Sequence, residues 1–142
     1  MGSRDVVLAL WRVSDPGNVG TLLRTADAFG AGVSLSDECA DPTGPRALRA
    51  SAGAIFRVPL VGWDELPERK VALLAHEGDP LSELTLESPL AFLLGSEREG
   101  LPESLVTQCQ KATIPTTGEA ESLNVAAAGA IALYELSRRA PG

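Results

Sequence analysis

Polar side chains that could bind or activate a substrate occur in three separate segments of the chain. The first segment places Asn18 six residues before Arg24. The second, GSEREGL, brings Glu97 between two glycines after an apolar run, and the third sets Ser122 and Asn124 before nine consecutive apolar or Gly residues. Asparagine and serine are also common helix N-caps, and an arginine on a helix surface is ordinary. Each segment taken alone therefore indicates only a polar loop or the start of a helix.

Composition excludes several kinds of chemistry. His76 is the single histidine, and Cys39 and Cys109 are far apart with no CxxC spacing, so little material exists for a metal site or a Ser-His-Asp triad. Neither GxGxxG nor a Walker A loop is present. A net charge of −7 argues against broad electrostatic binding to nucleic acid, although a few arginines could still grip phosphate locally. We therefore expect no metal, and two free thiols in a reducing cytoplasm.

The elements that must position these segments follow from the apolar runs. Runs of near-continuous apolar residues predict strands in residues 5–13, 31–37, 55–61, 71–78 and 90–97, with a short one in 111–117. Helical spacing is found in residues 19–30, 46–54, 102–109 and 123–139, and 63–70 forms a polar helix or turn. This alternation predicts one α/β domain over residues 1–142, with a mostly parallel sheet flanked by helices. In such sheets ligands bind beyond the carboxyl ends of the strands, where the polar loops lie.

We expect no signal peptide, and the longest apolar run is far shorter than the roughly 20 residues of a membrane span. A cytoplasmic protein without a membrane partner is the expectation.

Taken in order, the three segments resemble a known family. NVGTLLR, GSEREGL and IPTTGEAESLNVA are similar to the three motifs of the SpoU (TrmH-type) RNA ribose methyltransferases of the SPOUT class, and RASAGAIFRVPL is similar to the segment between motifs one and two. The resemblance covers Val6 to Arg138. It departs at Ser96-Glu97-Arg98, where the family often has Asn-Glu-Gly, and at Ala126, where it often has Ser. Many members carry an N-terminal substrate-binding domain, so the chain is expected to be a minimal member or an excised catalytic domain.

The resemblance implies transfer of a methyl group from S-adenosylmethionine to a ribose 2'-hydroxyl of tRNA or rRNA. It further implies a deep trefoil knot near the C-terminus and a homodimer. The cofactor is expected near the backbone of four residues, Ala75, Gly95, Ile114 and Leu123. The apolar character of Val125–Leu136 on every side independently favours a second subunit as cover, although burial within the domain would also explain it.

By the same resemblance the catalytic set is Arg24, Asn18, Glu97, Ser122 and Asn124. Arg24 would act on the hydroxyl, either as general base or as a charged group that binds phosphate and stabilises the developing alkoxide; a guanidinium normally stays protonated. Glu97 would order the site through hydrogen bonds to the backbone or Asn18. Ser122 and Asn124 would orient the RNA or Arg24.

RNA contacts are expected from Arg12, Arg46, Arg49 and Arg98, which with Arg24 and Arg57 should cluster on one face. The alternative function is a binding or assembly module that keeps the cofactor pocket but does little catalysis. A flavodoxin-like nucleotide-binding domain fits the α/β pattern but lacks a phosphate loop. The sequence does not identify the RNA or the methylated nucleotide.

Overall fold

A computed structural model describes residues 4–96, 98–118 and 123–139. Its centre is a six-stranded sheet in the order β2-β1-β5-β3-β6-β4, and all the paired strands are parallel. The strands are β1 (Val6–Trp11), β2 (Gly32–Leu35), β3 (Lys70–Leu74), β4 (Asp79–Pro80), β5 (Leu90–Gly95) and β6 (Gln110–Thr113). The α/β class and the parallel sheet predicted from the apolar runs are confirmed.

Helices cover the sheet because its central strands are apolar on both faces. The helices are α1 (Pro16–Phe29), α2 (Pro45–Ser51), α3 (Glu103–Val106) and α4 (Val125–Ser137), with 3-10 turns at Ala54–Phe56, Trp63–Glu65 and Leu81–Glu83. Leu8 and Leu10 of β1 face the core formed with α1 and α4, whereas Val7 and Ala9 face a smaller cluster that includes Trp63. Both faces of β1 are therefore covered, as its unbroken apolar run predicts.

The parallel arrangement gives the sheet two different edges. At the carboxyl edge the strands end, and α1 and α4 begin there; at the amino edge the strands begin, and both helices end there. α1 and α4 pack closely enough that a Cβ on Gly129 would lie 2.5 Å from a methyl group of Leu22. The carboxyl edge consequently gathers the two helix N-termini and the loops between them.

Residues 55–61 do not form the predicted strand, which is a correction to the sequence analysis. Ala54–Phe56 is a 3-10 turn, and the segment reaches the sheet only through a bridge between Leu60 and Val33. Phe56 is 83% exposed. Gly53, with φ of +82°, turns the chain just before residues 55–61. The apolar residues of this segment therefore do not alternate between the two faces of a sheet.

Other element bounds differ more modestly from prediction. β3 ends at Leu74 rather than at residue 78, and β5 ends at Gly95. The two-residue strand Asp79–Pro80 was not predicted, because so short a strand has no periodicity. Within the described ranges, none of the helices is long and apolar enough to cross a membrane.

Candidate active site

The starts of α1 and α4 meet at the carboxyl edge through two asparagines. Asn124 donates from Nδ2 to Oδ1 of Asn18 over 3.3 Å, across 106 positions of sequence. Asn124 also caps α4, because its Oδ1 accepts from the N–H groups of Ala126 at 2.8 Å and Ala127 at 3.2 Å. The first and third polar segments, which the sequence placed far apart, thus form one site.

Asn18 is not the N-cap of α1, although capping is the ordinary structural role of an asparagine near the start of a helix. The cap is Asp15, whose Oδ1 accepts from the N–H of Gly17 at 2.8 Å, and Pro16 occupies the first helical position. Asn18 lies within the first turn, half-buried, with its side chain directed to α4. Its amide therefore contributes to the site rather than to the start of its own helix.

An apolar cavity of about 200 Å³ opens beside these helix ends. Ala75, Gly95, Ile114 and Leu123, the four positions expected near a cofactor, all line it. Ala75 and Ile114 follow β3 and β6, Gly95 ends β5, and Leu123 precedes α4. The cavity is therefore built at the carboxyl edge of the sheet. Its lining side chains are mostly small or aliphatic, which leaves main-chain groups as its principal polar contacts.

The wall of the apolar cavity depends on a close approach between two glycines. A Cβ on Gly95 would lie 2.4 Å from the carbonyl carbon of Gly100, so any side chain there would collide with backbone. The intervening turn is closed by a hydrogen bond from the Gly100 N–H to the Ser96 carbonyl at 2.9 Å. Glu99 also donates its N–H to Oγ of Ser96 at 3.1 Å. Gly95 therefore serves the fold of the GSEREGL loop itself.

A polar cavity of about 410 Å³ adjoins the apolar one. Asn18, Arg12 and Arg98 line it, together with the carboxylate-bearing residues Glu38 and Glu99. Ser96 and Val125 line both cavities, so the two spaces abut at these residues. Ser96 stands inside a predicted motif, and its position directly after a buried strand was the signal that could have identified it.

Arg12 is held in an unusual conformation at the mouth of the polar cavity. Its φ is +51°, and its N–H donates to Oγ of Ser36 at 2.8 Å. Its Nε lies 3.3 Å from Oε2 of Glu38, which itself has a φ of +71°. Non-glycine residues in this left-handed region cost about 1–2 kcal/mol each, and such residues concentrate at functional sites.

The arginines expected to contact RNA are only partly brought together. Arg12 and Arg98 share the polar cavity, and Nη2 of Arg46 lies 4.0 Å from Oδ1 of Asp15 in that same cavity. Arg49 is exposed on α2. Carboxylates alternate with these arginines, so the cluster is not purely basic.

The expectation that Arg57 joins this cluster is wrong. Arg57 donates from Nη2 and Nε to Oδ2 of Asp27, at 2.7 and 3.0 Å, near the amino edge. The hydrogen bond from Arg57 is the main reason that the pKa of Asp27 lies below its ordinary value. The pair fastens the end of α1 instead of contributing to the site.

Of the remaining members of the predicted catalytic set, the structure describes only Arg24. Arg24 is exposed on α1, about 9 Å along the helix axis from Asn18, and lines neither cavity. Glu97 and Ser122 lie outside the described residues. Among the residues that the structure describes, no group of three His, Cys, Asp or Glu side chains could hold a metal ion.

The sequence and the fold of the chain are similar to those of known RNA methyltransferases. Residues 5–134 match the sequence profile of the SpoU rRNA Methylase family. The 23S rRNA (guanosine(2553)-2'-O)-methyltransferase of Bacillus subtilis is 37% identical over 141 residues, covering 92% of this chain and 57% of that protein. The chain spans about half the length of the curated relatives that it matches, covering 53% of one and 57% of another.

Two solved structures superpose closely. The AdoMet-bound rRNA methyltransferase of Sinorhizobium meliloti has a TM-score of 0.89 and 34% identity, covering 97% of this chain and 57% of that one. A structure that concerns 2-OH methylation of C/U34 on tRNA has a TM-score of 0.87 and 29% identity, covering 98% of this chain and 92% of that one. The profile match extends over nearly the whole chain, and the chain therefore belongs to the SpoU rRNA Methylase family.

Proposed function

We propose that this chain transfers a methyl group from S-adenosylmethionine to a ribose 2'-hydroxyl of rRNA or tRNA. The observation that carries the proposal is the pair of abutting cavities that share Ser96 and Val125. A donor in the apolar cavity and a ribose in the polar cavity would meet at that boundary. Holding two reactants in line removes much of the entropic barrier to a bimolecular step.

The apolar cavity fits the nucleoside part of the donor. Adenosine offers a flat apolar face and a polar edge, and binding sites of this kind combine aliphatic walls with a few main-chain donors and acceptors. Ala75, Gly95, Ile114 and Leu123 supply both features. The bound AdoMet of the S. meliloti relative supports the same choice of cofactor. The sulfonium already makes the methyl carbon electrophilic, so the transfer requires no metal ion.

The polar cavity fits a ribose and its flanking phosphates. Arg98 offers a charged donor to phosphate, and the amide of Asn18, held by Asn124, would position the ribose. The N-terminus of α4 adds partial positive charge where the hydroxyl oxygen gains negative charge. This arrangement supports transfer by positioning and electrostatic stabilisation.

Arg24, Glu97 and Ser122 belong to the proposal as catalytic residues on the strength of the motifs. Exposure of Arg24 favours the role of a charged group over that of a base, because a solvated guanidinium stays protonated. Its phosphate contact would complete the grip that Arg98 begins.

A homodimer and a deep C-terminal trefoil knot are also proposed, as family membership implies. The dimer has support from α4, where Ile131 is 39% exposed and Tyr134 is 60% exposed along one stripe of the helix. A second copy would cover that stripe, and sedimentation equilibrium measures the resulting mass. A cytoplasmic location, where Cys39 and Cys109 would remain free thiols, is part of the same proposal.

Methyl transfer from radiolabelled S-adenosylmethionine to total RNA of a deletion strain, followed by mapping of the modified nucleotide, tests the proposal. We expect a 2'-O-methylated nucleotide in rRNA or tRNA. Arg24→Ala should lower transfer by about 100-fold or more with unchanged cofactor affinity, because a positioned charge is lost from the transition state. Arg69→Ala, at the amino edge, is the matched control and should retain activity. Tight cofactor binding without any RNA acceptor would instead favour a binding module.

A further inference from the structure

Both tryptophans of the chain lie at the carboxyl edge and touch each other. Trp11 is the last residue of β1, and its ring centroid is 5.6 Å from that of Trp63, with the ring planes 54° apart. The chain is poor in aromatic residues, with two tryptophans, one tyrosine and three phenylalanines. Both tryptophans are only half-buried, although each is large enough to anchor a core. Their placement at the edge with the cavities therefore suggests a task besides packing.

Arg12 extends this aromatic pair into the polar cavity. Its guanidinium carbon lies over the ring of Trp11, 5.2 Å from the centroid, while the side chain remains 44% exposed. The same side chain lines the polar cavity. Trp63, Trp11 and Arg12 thus form a continuous series, called here the Trp–Arg stack, which runs from the second core cluster to the open cavity.

The backbone of Arg12 is costly to maintain by packing alone. A φ of +51° disfavours every residue with a Cβ, and glycine would occupy this position without strain. The ion pair with Glu38 is exposed, and exposed pairs contribute little to stability. In this left-handed conformation the Arg12 N–H donates to Oγ of Ser36, and the guanidinium carbon lies over the ring of Trp11.

The guanidinium has different partners at its edge and on its face. Glu38 occupies part of the edge, where Nε lies 3.3 Å from the carboxylate, and its negative charge opposes a phosphate there. On the face side, the guanidinium carbon lies over the Trp11 ring, and the side chain also lines the polar cavity. Phosphate binds an arginine at its edge, whereas a nucleobase binds at the face. Because Glu38 occupies part of the edge and the side chain is 44% exposed, Arg12 matches a base on its face better than a phosphate at its edge.

We propose that the Trp–Arg stack receives an unpaired nucleobase of the RNA on the outer face of Arg12. This inference rests on the proposed function, because the base belongs to a nucleotide beside the one whose ribose occupies the polar cavity. The acceptor RNA is accordingly single-stranded, or opened, at that nucleotide. Stacking tolerates any base, so the stack fixes the position of the strand without reading its sequence.

Arg12→Lys separates stacking from charge. Lysine keeps the positive charge and the same backbone strain but has no planar group. The matched control is Arg69→Lys, since Arg69 is equally exposed, at 45%, pairs with Glu87, and lies at the opposite edge of the sheet. Because both tryptophans belong to the stack, intrinsic tryptophan fluorescence reports directly on its occupation.

The probes are a short single-stranded oligoadenylate and the same ribose-phosphate strand without bases, titrated into the full chain. We expect the oligoadenylate to quench tryptophan fluorescence and the abasic strand to do so weakly. Arg12→Lys should weaken oligoadenylate binding about 5- to 150-fold, the range for loss of one stacked base, and Arg69→Lys should leave it unchanged. Calorimetric titration with S-adenosylmethionine should give wild-type affinity for both variants, which shows that they are folded.

Equal quenching by the abasic strand, or equal loss of affinity in Arg12→Lys and Arg69→Lys, would overturn the stack. A separate methyl-transfer assay distinguishes this failure from failure of the proposed function. Transfer without selective quenching contradicts the stack alone. Quenching that depends on Arg12 without any transfer supports the stack and contradicts the enzyme.

Discussion

The cavities at the two edges of the sheet differ in size and in the residues that line them. The amino edge has two larger ones, of about 900 and 740 Å³, each lined by polar as well as apolar side chains. The carboxyl edge has two smaller cavities, of about 200 and 410 Å³, where the Asn18–Asn124 pair and Arg12 converge. Neither size nor polarity marks the site here; the contact between the first and third predicted motifs does.

The polar groups of the amino edge satisfy one another. Arg139 donates to the carbonyl oxygens of Ser82 at 2.7 Å, Leu81 at 3.2 Å and Leu84, and its Nε donates to Glu135 at 2.7 Å. Burial raises the pKa of Glu135, but hydrogen bonds from Arg139 and its neighbour outweigh burial and lower it overall. The amino edge is thus a fastening, and changes there should alter stability without altering catalysis.

The largest expected change in stability comes from breaking that fastening. Arg139→Met should lower the free energy of unfolding by about 3 kcal/mol, because it leaves a half-buried carboxylate and several carbonyl groups without their donor. Arg138→Met is the control: Arg138 contacts the same Glu135 but is exposed, so the cost should be below about 0.5 kcal/mol. Urea unfolding measures both. If the two variants were equally stable, the carbonyl contacts of Arg139 would contribute nothing.

The next largest expected loss of stability comes from two glycines, one at the carboxyl edge and one in the helices that cover the sheet. A Cβ on Gly95 would lie 2.4 Å from Gly100, and one on Gly20 would lie 2.4 Å from the carbonyl oxygen of Ala47. Each Gly→Ala change should cost about 2 kcal/mol of unfolding free energy, because backbone must move. Only Gly95→Ala should weaken S-adenosylmethionine binding, since it displaces a wall of the apolar cavity.

Calorimetric titration of both alanine variants, with urea unfolding as the check on stability, decides the matter. Equal cofactor affinity in the Gly95 and Gly20 variants would show that the GSEREGL turn does not shape the cofactor site.

Asn124 allows stability and chemistry to be separated at a single position. Asn124→Ala removes the cap of α4 and should cost about 1 kcal/mol. Asn124→Asp keeps an acceptor for Ala126 and Ala127 and places a negative charge at a helix N-terminus, so stability should be retained. Both changes remove the donor to Asn18, and both should reduce methyl transfer. Thermal unfolding and the transfer assay report the two quantities; full activity in the aspartate variant would restrict Asn124 to capping.

Sequence reasoning succeeded where burial is continuous. The apolar run around β1 predicts a strand covered on both faces, and the order of three polar motifs predicts that Asn18 and Asn124 share a site. The caps were less predictable, because Asp15 and Asn18 are equally good capping residues and only the geometry of the Pro16 turn decides between them.

The wrong predictions share a physical cause, because residue types alone do not reveal the direction of the backbone. Residues 55–61 have strand-like composition, but the reversal at Gly53 turns Phe56 to solvent. Arg57 and Arg12 are both arginines near apolar runs, yet one fastens Asp27 and the other lies across Trp11. The left-handed conformation of Arg12 has no sequence signature, so its role emerges only from the fold.

The smallest effect concerns the ion pair between Asp27 and Arg57 at the amino edge. Because the folded-state pKa of Asp27 lies below its ordinary value of 3.8, the pair stabilises the fold above that value. The stabilisation is lost as pH falls from 3.8 through the lower folded-state pKa. Asp27→Asn should therefore flatten the decline of the unfolding midpoint over that acid range, and added salt should reduce the difference from wild type, because the pair is partly exposed.

Asp64→Asn, which alters an exposed carboxylate without an ion pair in the described part of the chain, should leave the slope unchanged. Identical acid profiles for wild type and Asp27→Asn would mean that the ion pair of Asp27 does not stabilise the amino edge. A flattened profile with normal methyl transfer would show that the end of α1, like Arg139, contributes to stability and not to catalysis.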